Sequence, residues 1–341
     1  MIGSCQVFPS TAIFNTRIDD VARFPAHGNS GAWVTVAGAT VHFHADWGTN
    51  EDPAQTSTYY GIPVNSIAAT QTDWPVINYD FASSGVSTES GWPDESDCAV
   101  AAGSGFNLTR DCSAVAAGQR RFPFPQPAVL KNEGGNCNDP NTCGDHHVLI
   151  VEQGACRLWE GYFAYKLSNQ WYALSSAAWD LNSLALRPAT WTSGDAAGLP
   201  ITPLLARAAE ASTGEVNHAL RVTFRDSVLA NTYVWPARHG AGNATAGGIP
   251  FGALLRLKAG FVIPADWTPQ ARALATAMKQ YGLYVADIGS SFYVQGDPSA
   301  QWSASTISQL QTITLGNMEF VDTGAITRDA RFDANSMRAS W

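Results

Sequence analysis

Short runs that alternate between apolar and polar positions recur along most of the chain, and this period of two is typical of β-strands. The runs are rich in β-branched and aromatic residues and are bounded by turn residues. The pattern predicts strands at 33–37, 41–47, 147–152, 157–166, 217–224, 232–235, 254–263, 283–287 and 291–294.

One helix has both of its ends marked in the sequence. Thr268 is a good N-cap, Pro269 stands at the first helical position, and Gly282 follows the last helical residue as a C′ glycine does. Weaker helical patterns cover 203–211 and 304–311. Helices are therefore expected to be few and peripheral.

The chain shows no internal repeat and no linker, so we expect a single catalytic-type domain over residues 1–341. Residues 48–146 are rich in Gly, Pro, Ser, Asn and Asp and are expected to form a loop-rich insertion stabilised by disulfides. Together these elements predict a mainly β fold, a β-sandwich or jelly-roll-like domain with a few peripheral helices.

Six cysteines permit three disulfides, and many pairings are possible from sequence alone. Cys137 and Cys143 bracket a turn-prone segment, which makes them a local pair. A zinc site is the alternative, but no C-x-x-C spacing occurs. The pairing we expect is Cys137–Cys143, Cys98–Cys112 and Cys5–Cys156.

Composition narrows the class of protein. Only 14% of the 341 residues are charged and the formal net charge is −9, against roughly 25% charged residues in typical soluble domains. The acidic balance and the lack of a Lys/Arg run exclude a nucleic-acid-binding or anionic-membrane surface. No apolar stretch approaches the ~18 residues of a membrane span. We expect a secreted protein with disulfide bonds that is monomeric and binds neither nucleic acid nor membrane.

The strongest chemical signal is a predicted hairpin around Gly154-Ala155. A two-residue turn there places His147 opposite Tyr162 and puts Glu160 on the same face. An imidazole, a carboxylate and a phenol that share one face can perform acid–base chemistry. The alternative is a hydrogen-bonded polar cluster without a catalytic role, and a register shift of one residue would disperse the trio.

A second strand, 41–47, projects His42, His44 and Asp46 to one face and Trp47 to the other. This row can line a glycan cleft, form an ordinary exposed strand face, or present two imidazoles and a carboxylate to a divalent cation. We expect the polar cleft rather than the metal site, and thus no cofactor.

Further candidates come from strand ends and turns. Asp287 ends a strand beside a glycine loop, and Glu215 precedes the strand at 217–224. These two are reserve catalytic carboxylates. The residues expected to bind substrate are His44, Trp47, His218, Trp235, Arg238 and His239.

Several blocks spread over most of the chain resemble a group of exported, largely uncharacterised microbial proteins. They include the segments at 44–48, 145–151, 191–200, 233–239 and 286–290. The resemblance implies one family unit and an extracytoplasmic location, and it implies no activity.

Abundant aromatic residues in a charge-poor chain, together with carboxylates on strand faces, favour a glycoside hydrolase that acts on a polysaccharide. Such an enzyme needs two carboxyl groups flanking the scissile bond. Glu160 and Asp46 are the expected pair, with His147 and Tyr162 tuning Glu160. One alternative is a polysaccharide lyase in which His147 or Tyr162 is the base and Arg238 neutralises a uronate. The other is a non-catalytic carbohydrate-binding module with a shallow aromatic platform.

Overall fold

The structure is a computed structural model that describes residues 1–126 and 129–341. It is a mixed α/β fold with 26% strand and 18% helix. The strands are β1 His44–Asp46, β2 Val64–Ile67, β3 Ile77–Asn78, β4 Asp97–Ala102, β5 Gly105–Arg110, β6 Val148–Glu152, β7 Arg157–Tyr162, β8 Tyr165–Leu167, β9 Gln170–Tyr172, β10 Ser175–Asp180, β11 Leu220–Phe224, β12 Leu229–Tyr233, β13 Ile249–Phe251, β14 Leu254–Leu257, β15 Leu283–Ile288, β16 Tyr293–Gln295 and β17 Met318–Phe320. The α-helices are α1 Ser30–Ala37, α2 Ala208–Ala211, α3 Pro269–Gln280, α4 Ala304–Leu310 and α5 Gly324–Thr327.

The largest sheet has six strands in the order β1-β16-β11-β15-β14-β17. Its central strand β11 runs parallel to β15 and antiparallel to β16, and β1 runs parallel to β16. Helix α3 precedes β15 and forms as its sequence predicts. The Thr268 side chain accepts a hydrogen bond from the backbone N–H of Ala271, and Gly282 adopts a φ of +77° after the helix.

A second sheet has four strands in the order β10-β7-β6-β2. The β6–β7 hairpin has the predicted register, with Leu149 opposite Glu160 and Glu152 opposite Arg157. One face of this sheet, including Val151 and Leu158, belongs to the main apolar core that also contains the six-stranded sheet. The opposite face packs into a second apolar cluster, so the four-stranded sheet separates the two cores.

The expectation of a mainly β sandwich or jelly roll needs correction. The fold is mixed α/β, and its strands form several sheets that combine parallel and antiparallel pairs; a sandwich is not confirmed. A jelly roll pairs antiparallel strands, whereas β1–β16, β11–β15 and β2–β6 are parallel pairs. Parallel pairs require crossover connections, and helix α3 lies in one of the connections that lead to β15.

The largest local differences from the predictions are at residues 33–37 and 48–146. Residues 33–37 lie in helix α1 instead of a strand, because Trp33 packs edge-on against Phe320 of β17, with ring centroids 5.1 Å apart. A tertiary contact thus overrides the weak strand preference of a short aliphatic run. Residues 48–146 contain strands β2 to β5 besides loops, and β2 joins the four-stranded sheet beside β6.

All three expected disulfides are present, and their Cα–Cα distances lie between 5.2 and 5.8 Å. They are Cys5–Cys156, Cys98–Cys112 and Cys137–Cys143. Disulfides form and persist in oxidising environments, so they support an extracellular type of compartment. Within the described residues, no helix is both long and apolar enough to cross a membrane.

Candidate functional site

A cavity of about 500 Å³ opens beside the segment 192–196. We call it the acidic cavity, because Glu95, Asp145, Asp195 and Asp287 line it. Its lining residues are Trp92, Glu95, Asp145, Tyr162, Thr192, Ser193, Gly194, Asp195, Ala196, His239, Ala241, Asp287 and Ile288. A larger depression elsewhere, around Arg256 and Lys258, is more open and has fewer convergent acids. The acidic cavity is therefore the better candidate for a chemical site.

Both sheets contribute to the acidic cavity. Asp145 lies just before β6 and Tyr162 ends β7, while Asp287 lies near the end of β15. The Tyr162 hydroxyl donates to Asp145 Oδ1 at 3.5 Å. The cavity therefore lies where strand ends of the four-stranded sheet approach those of the six-stranded sheet, with segment 192–196 between them.

His147 anchors segment 192–196 by a hydrogen bond to Gly194. Its Nε2 lies 2.7 Å from the carbonyl oxygen of Gly194, and its Nδ1 lies 2.6 Å from Glu133 Oε2. A carbonyl and a carboxylate only accept, so both ring nitrogens must donate and the ring is an imidazolium. Burial alone would lower the pKa of His147, but the Glu133 carboxylate raises it to about 9.

Glu160 supports the same loop further along. Its carboxylate accepts hydrogen bonds of 2.8 to 3.0 Å from the backbone N–H groups of Ile201 and Thr202, and the residue is 0% exposed. The Glu160 side chain also lies against Gly194, where an added Cβ would meet the Ile201 side chain at 3.0 Å. Burial raises the pKa of Glu160, and the two N–H donors oppose that rise. The predicted trio thus shares a face, but His147 and Glu160 are turned to the loop and away from the cavity.

Asp195 and Asp287 share one arginine. Arg221, fully buried in β11, places Nη2 3.1 Å from Asp195 Oδ2 and 3.5 Å from Asp287 Oδ2. Asp195 also caps its own loop, because its Oδ1 accepts from the N–H groups of Ala197 and Leu199. One guanidinium therefore faces two carboxylates, of which only Asp287 is appreciably exposed, at 20% of its side chain.

The environment favours a protonated Asp287. Burial and the neighbouring Asp195 raise the pKa of Asp287 to about 7, and Arg221 only partly offsets the rise. Burial also raises the pKa of Asp145, with His147 opposing it. The pKa of Tyr162 lies above its ordinary value because of burial and the Asp145 charge. The cavity therefore contains a carboxyl, that of Asp287, which keeps its proton close to neutral pH, beside the carboxyl of Asp145.

The histidine row of the second strand does not reach the acidic cavity. His42 is exposed, with Nδ1 2.8 Å from the carbonyl oxygen of Gln311, and His44 stacks on Tyr293 with ring centroids 3.8 Å apart. Asp46 does not line the cavity, and burial together with the Glu133 charge raises its pKa to about 6. In the described part of the chain, no group of three or more His, Cys, Asp or Glu side chains is placed to hold a metal ion.

Most of the residues expected to bind substrate lie elsewhere. Trp47 is buried in the core against Trp302, and His218 is buried beside Glu210, 3.0 Å from Nε2 to Oε2. Glu215, the reserve carboxylate, is exposed and accepts from the Asn217 amide, outside the cavity lining.

Of the substrate-binding candidates at 235–239, two lie away from the cavity and one lines it. Trp235 donates from Nε1 to the Ser336 carbonyl oxygen, and Arg238 is buried and donates to Ala334 and Asn335. Only His239 of this block lines the acidic cavity, with Nδ1 2.8 Å from the Ala196 carbonyl oxygen.

Sequence reasoning did not select Asp145, Trp92, Glu95 or Arg221. Asp145 directly precedes the predicted hairpin, so the sequence indicated where it lies in the fold but not that it lines the cavity. Arg221 was detectable as a charged residue inside the apolar run Leu-Arg-Val-Thr-Phe, since a buried arginine requires an acidic partner. Nothing local indicates that Trp92 and Glu95 approach a segment about a hundred positions later.

Comparisons with known proteins add no assignment. No family model matches the chain, and neither a curated protein nor a solved structure matches it. The acidic cavity is therefore the feature of this chain that bears on its function.

Proposed function

We propose that the chain is an exported carbohydrate-active enzyme, a glycoside hydrolase that cleaves a polysaccharide with Asp287 as general acid and Asp145 as its carboxylate partner. The observation that carries this proposal is the pair itself. Two carboxyl groups line one cavity of about 500 Å³, and the pKa of one of them, Asp287, is raised to about 7. Glycoside hydrolysis needs such a pair with unequal proton affinities.

In the proposed reaction, protonated Asp287 donates its proton to the glycosidic oxygen as the bond to the anomeric carbon breaks. Asp145 stabilises the positive charge that develops at that carbon, either as a nucleophile or as a base toward water. Water supplies the hydroxyl group of the new reducing end. Arg221 positions Asp287, and its charge is already shared with Asp195, so Asp287 is not held fully ionised.

The walls of the acidic cavity suit a sugar. Trp92 is 44% exposed at the wall, and an exposed indole face stacks on the apolar face of a pyranose ring. Tyr162 and His239 add polar groups. The three disulfides and the resemblance to exported microbial proteins support the extracytoplasmic location.

The structure gives the lyase alternative less support. His147 is 2% exposed with both ring nitrogens engaged, and the raised pKa of Tyr162 disfavours the phenolate that a base requires. Arg238, the expected neutraliser of a uronate, is buried against the C-terminal segment. A purely binding module remains the outcome to be tested against hydrolysis.

The test is a screen of soluble polysaccharides for reducing ends, followed by Asp287→Asn and Asp145→Asn on the substrate found. Each variant should lower kcat by about 10²–10⁴-fold, and the basic limb of the pH–rate profile should disappear with Asp287→Asn. Binding of a polysaccharide without release of reducing ends would overturn the proposal in favour of a binding module.

A variant of Glu160, which supports the loop and does not line the cavity, is the control for the Asp287 and Asp145 variants. Glu160→Gln keeps one oxygen for the N–H groups of Ile201 and Thr202, so we expect a loss of about 1–3 kcal/mol in the free energy of unfolding. The pH–rate profile should keep its shape. A profile that loses a limb with Glu160→Gln would instead restore Glu160, with Asp46, as the reacting pair.

A further inference from the structure

Trp92 and Glu95 stand together on one wall of the acidic cavity. Trp92 is the N-cap residue of the short 3₁₀ turn Pro93–Glu95, Glu95 is its last residue, and both line the cavity. Glu95 Oε2 accepts a hydrogen bond of 2.9 Å from the backbone N–H of Thr192, which orients the carboxylate beside the loop 192–196. The wall therefore presents an exposed aromatic face next to an oriented carboxylate.

The charge of the acidic cavity is strongly one-sided. Its lining includes Glu95, Asp145, Asp195 and Asp287, and none of the described residues that line it is Lys or Arg. Arg221 lies behind the wall and pairs with two of these carboxylates, Asp195 and Asp287. Two buried cations lie near the other two carboxylates: Arg187 donates to the carbonyl oxygens of Glu95 and Thr192, and His147 partly offsets the charge of Asp145. Neither of these cations lines the cavity, whereas Glu95 and Asp145 do, so a bound cation would be attracted and an anionic sugar repelled.

We propose that Trp92 and Glu95 form a subsite for a protonated amino sugar, so that the polysaccharide cleaved contains glucosamine-type residues with a free amine. This inference rests on the proposed function, because it names the substrate class of the same cavity. The indole stacks on the apolar face of the sugar ring and attracts the adjacent ammonium group. The Glu95 carboxylate accepts a charge-assisted hydrogen bond from that ammonium.

The sugar chemistry that fits follows from these two groups. N-acetylation removes the positive charge and adds bulk next to Glu95, while a uronate places a second anion beside it. A neutral glucan can stack on Trp92 but supplies no ammonium to Glu95. The subsite should therefore rank a glucosamine oligomer above a glucan, an N-acetylglucosamine oligomer and a uronate oligomer of equal length.

The experiment measures binding, with hydrolysis switched off by Asp287→Asn. Hexamers of glucosamine, N-acetylglucosamine, glucose and glucuronate are titrated by calorimetry at low salt in mildly acidic buffer, where the glucosamine amine is protonated. We expect the glucosamine hexamer to bind at least about tenfold more tightly than the others, the gain typical of a hydrogen bond to a charged group.

Glu95→Gln in the same background should bring the glucosamine and N-acetylglucosamine affinities to within about twofold of each other, since it removes the charge but keeps an acceptor for Thr192. Asp94→Asn is the matched control. Asp94 is an exposed carboxylate of the same turn outside the cavity lining, so its removal should preserve the preference. Trp92→Ala should weaken all hexamers that bind.

Equal affinity for the four hexamers, or a preference that survives Glu95→Gln, would overturn the amino-sugar subsite. The two proposals fail separately. If the glucosamine hexamer binds with the predicted preference but the unaltered protein releases no reducing ends from it, the subsite stands and the hydrolase assignment falls. If reducing ends are released from a neutral or anionic polysaccharide alone, the hydrolase stands and the subsite falls.

Discussion

His147 provides the most direct test of how the site is held together. Its imidazolium joins Glu133 to the carbonyl oxygen of Gly194, and the residue is 2% exposed. We expect His147→Gln to loosen segment 192–196 and to destabilise the protein in a pH-dependent way, because glutamine carries no charge to pair with Glu133.

The size of the effect follows from the pKa. The ordinary value is 6.5 and the folded value is about 9, a difference worth about 3 kcal/mol in the free energy of unfolding. Because the folded pKa of this cation is raised, the stabilisation is fully present below 6.5 and is lost as the pH rises through about 9. The pair should therefore stabilise the fold in neutral and mildly acidic buffer, where Glu133 is ionised, and contribute little in strongly basic buffer.

A double-mutant cycle isolates the pair. Urea unfolding of the wild type, His147→Gln, Glu133→Gln and the double variant, followed by circular dichroism without reductant, should give a coupling of about 2–3 kcal/mol at about pH 6 that falls below about 0.5 kcal/mol at about pH 10. The cycle cancels the titration of other groups. His218→Gln, which removes another buried histidine beside a glutamate far from the cavity, should leave the coupling unchanged. A coupling that does not change between the two pH values would refute an imidazolium at position 147.

Two further predictions concern stability. Because burial raises the pKa of the Asp287 carboxyl, the folded protein binds that proton more tightly than the unfolded chain, and wild-type stability declines as the pH rises from the ordinary aspartate range through about 7. Asp287→Asn should therefore stabilise the protein more at about pH 8 than at about pH 5 in thermal melts, and an equal effect at both would mean that Asp287 ionises normally. Two of the disulfides should stabilise the fold by different amounts, since Cys5–Cys156 spans 151 positions and Cys137–Cys143 spans 6. Replacing each pair by serines should lower the free energy of unfolding by about 5 and about 2 kcal/mol in chemical denaturation, and a reversed order would argue against control by loop entropy.

Local features were predictable because short-range chemistry decides them. The helix after Thr268 has a cap, an initiating proline and a terminating glycine in sequence, and all three act within a turn of the backbone. The β6–β7 register follows from the turn at Gly154-Ala155 and from alternation, so His147 and Tyr162 come within 5.4 Å between ring centroids. The Cys137–Cys143 disulfide followed from a local turn, whereas the other two pairs were one choice among several that six cysteines allow.

The wrong predictions share a different origin. The strand expected at 33–37 became helix α1 because of its contact with Phe320, nearly three hundred positions away. The jelly roll was expected from the number and length of strands, but strand patterns carry no information on parallel or antiparallel pairing once crossovers are possible.

The amino-acid sequence by itself determined the hairpin, the main helix, the local Cys137–Cys143 disulfide and the acidic, charge-poor character of the chain, because each depends on neighbouring residues or on composition. Only the tertiary structure decided which carboxylates meet. One cavity is lined both by Asp145, at the start of the hairpin, and by Asp287, near the end of β15. The Glu160 carboxylate instead accepts hydrogen bonds from the N–H groups of Ile201 and Thr202. Whether a carboxyl group reacts or supports a loop depends on its exposure and its hydrogen-bond donors, and these are set by segments distant in sequence.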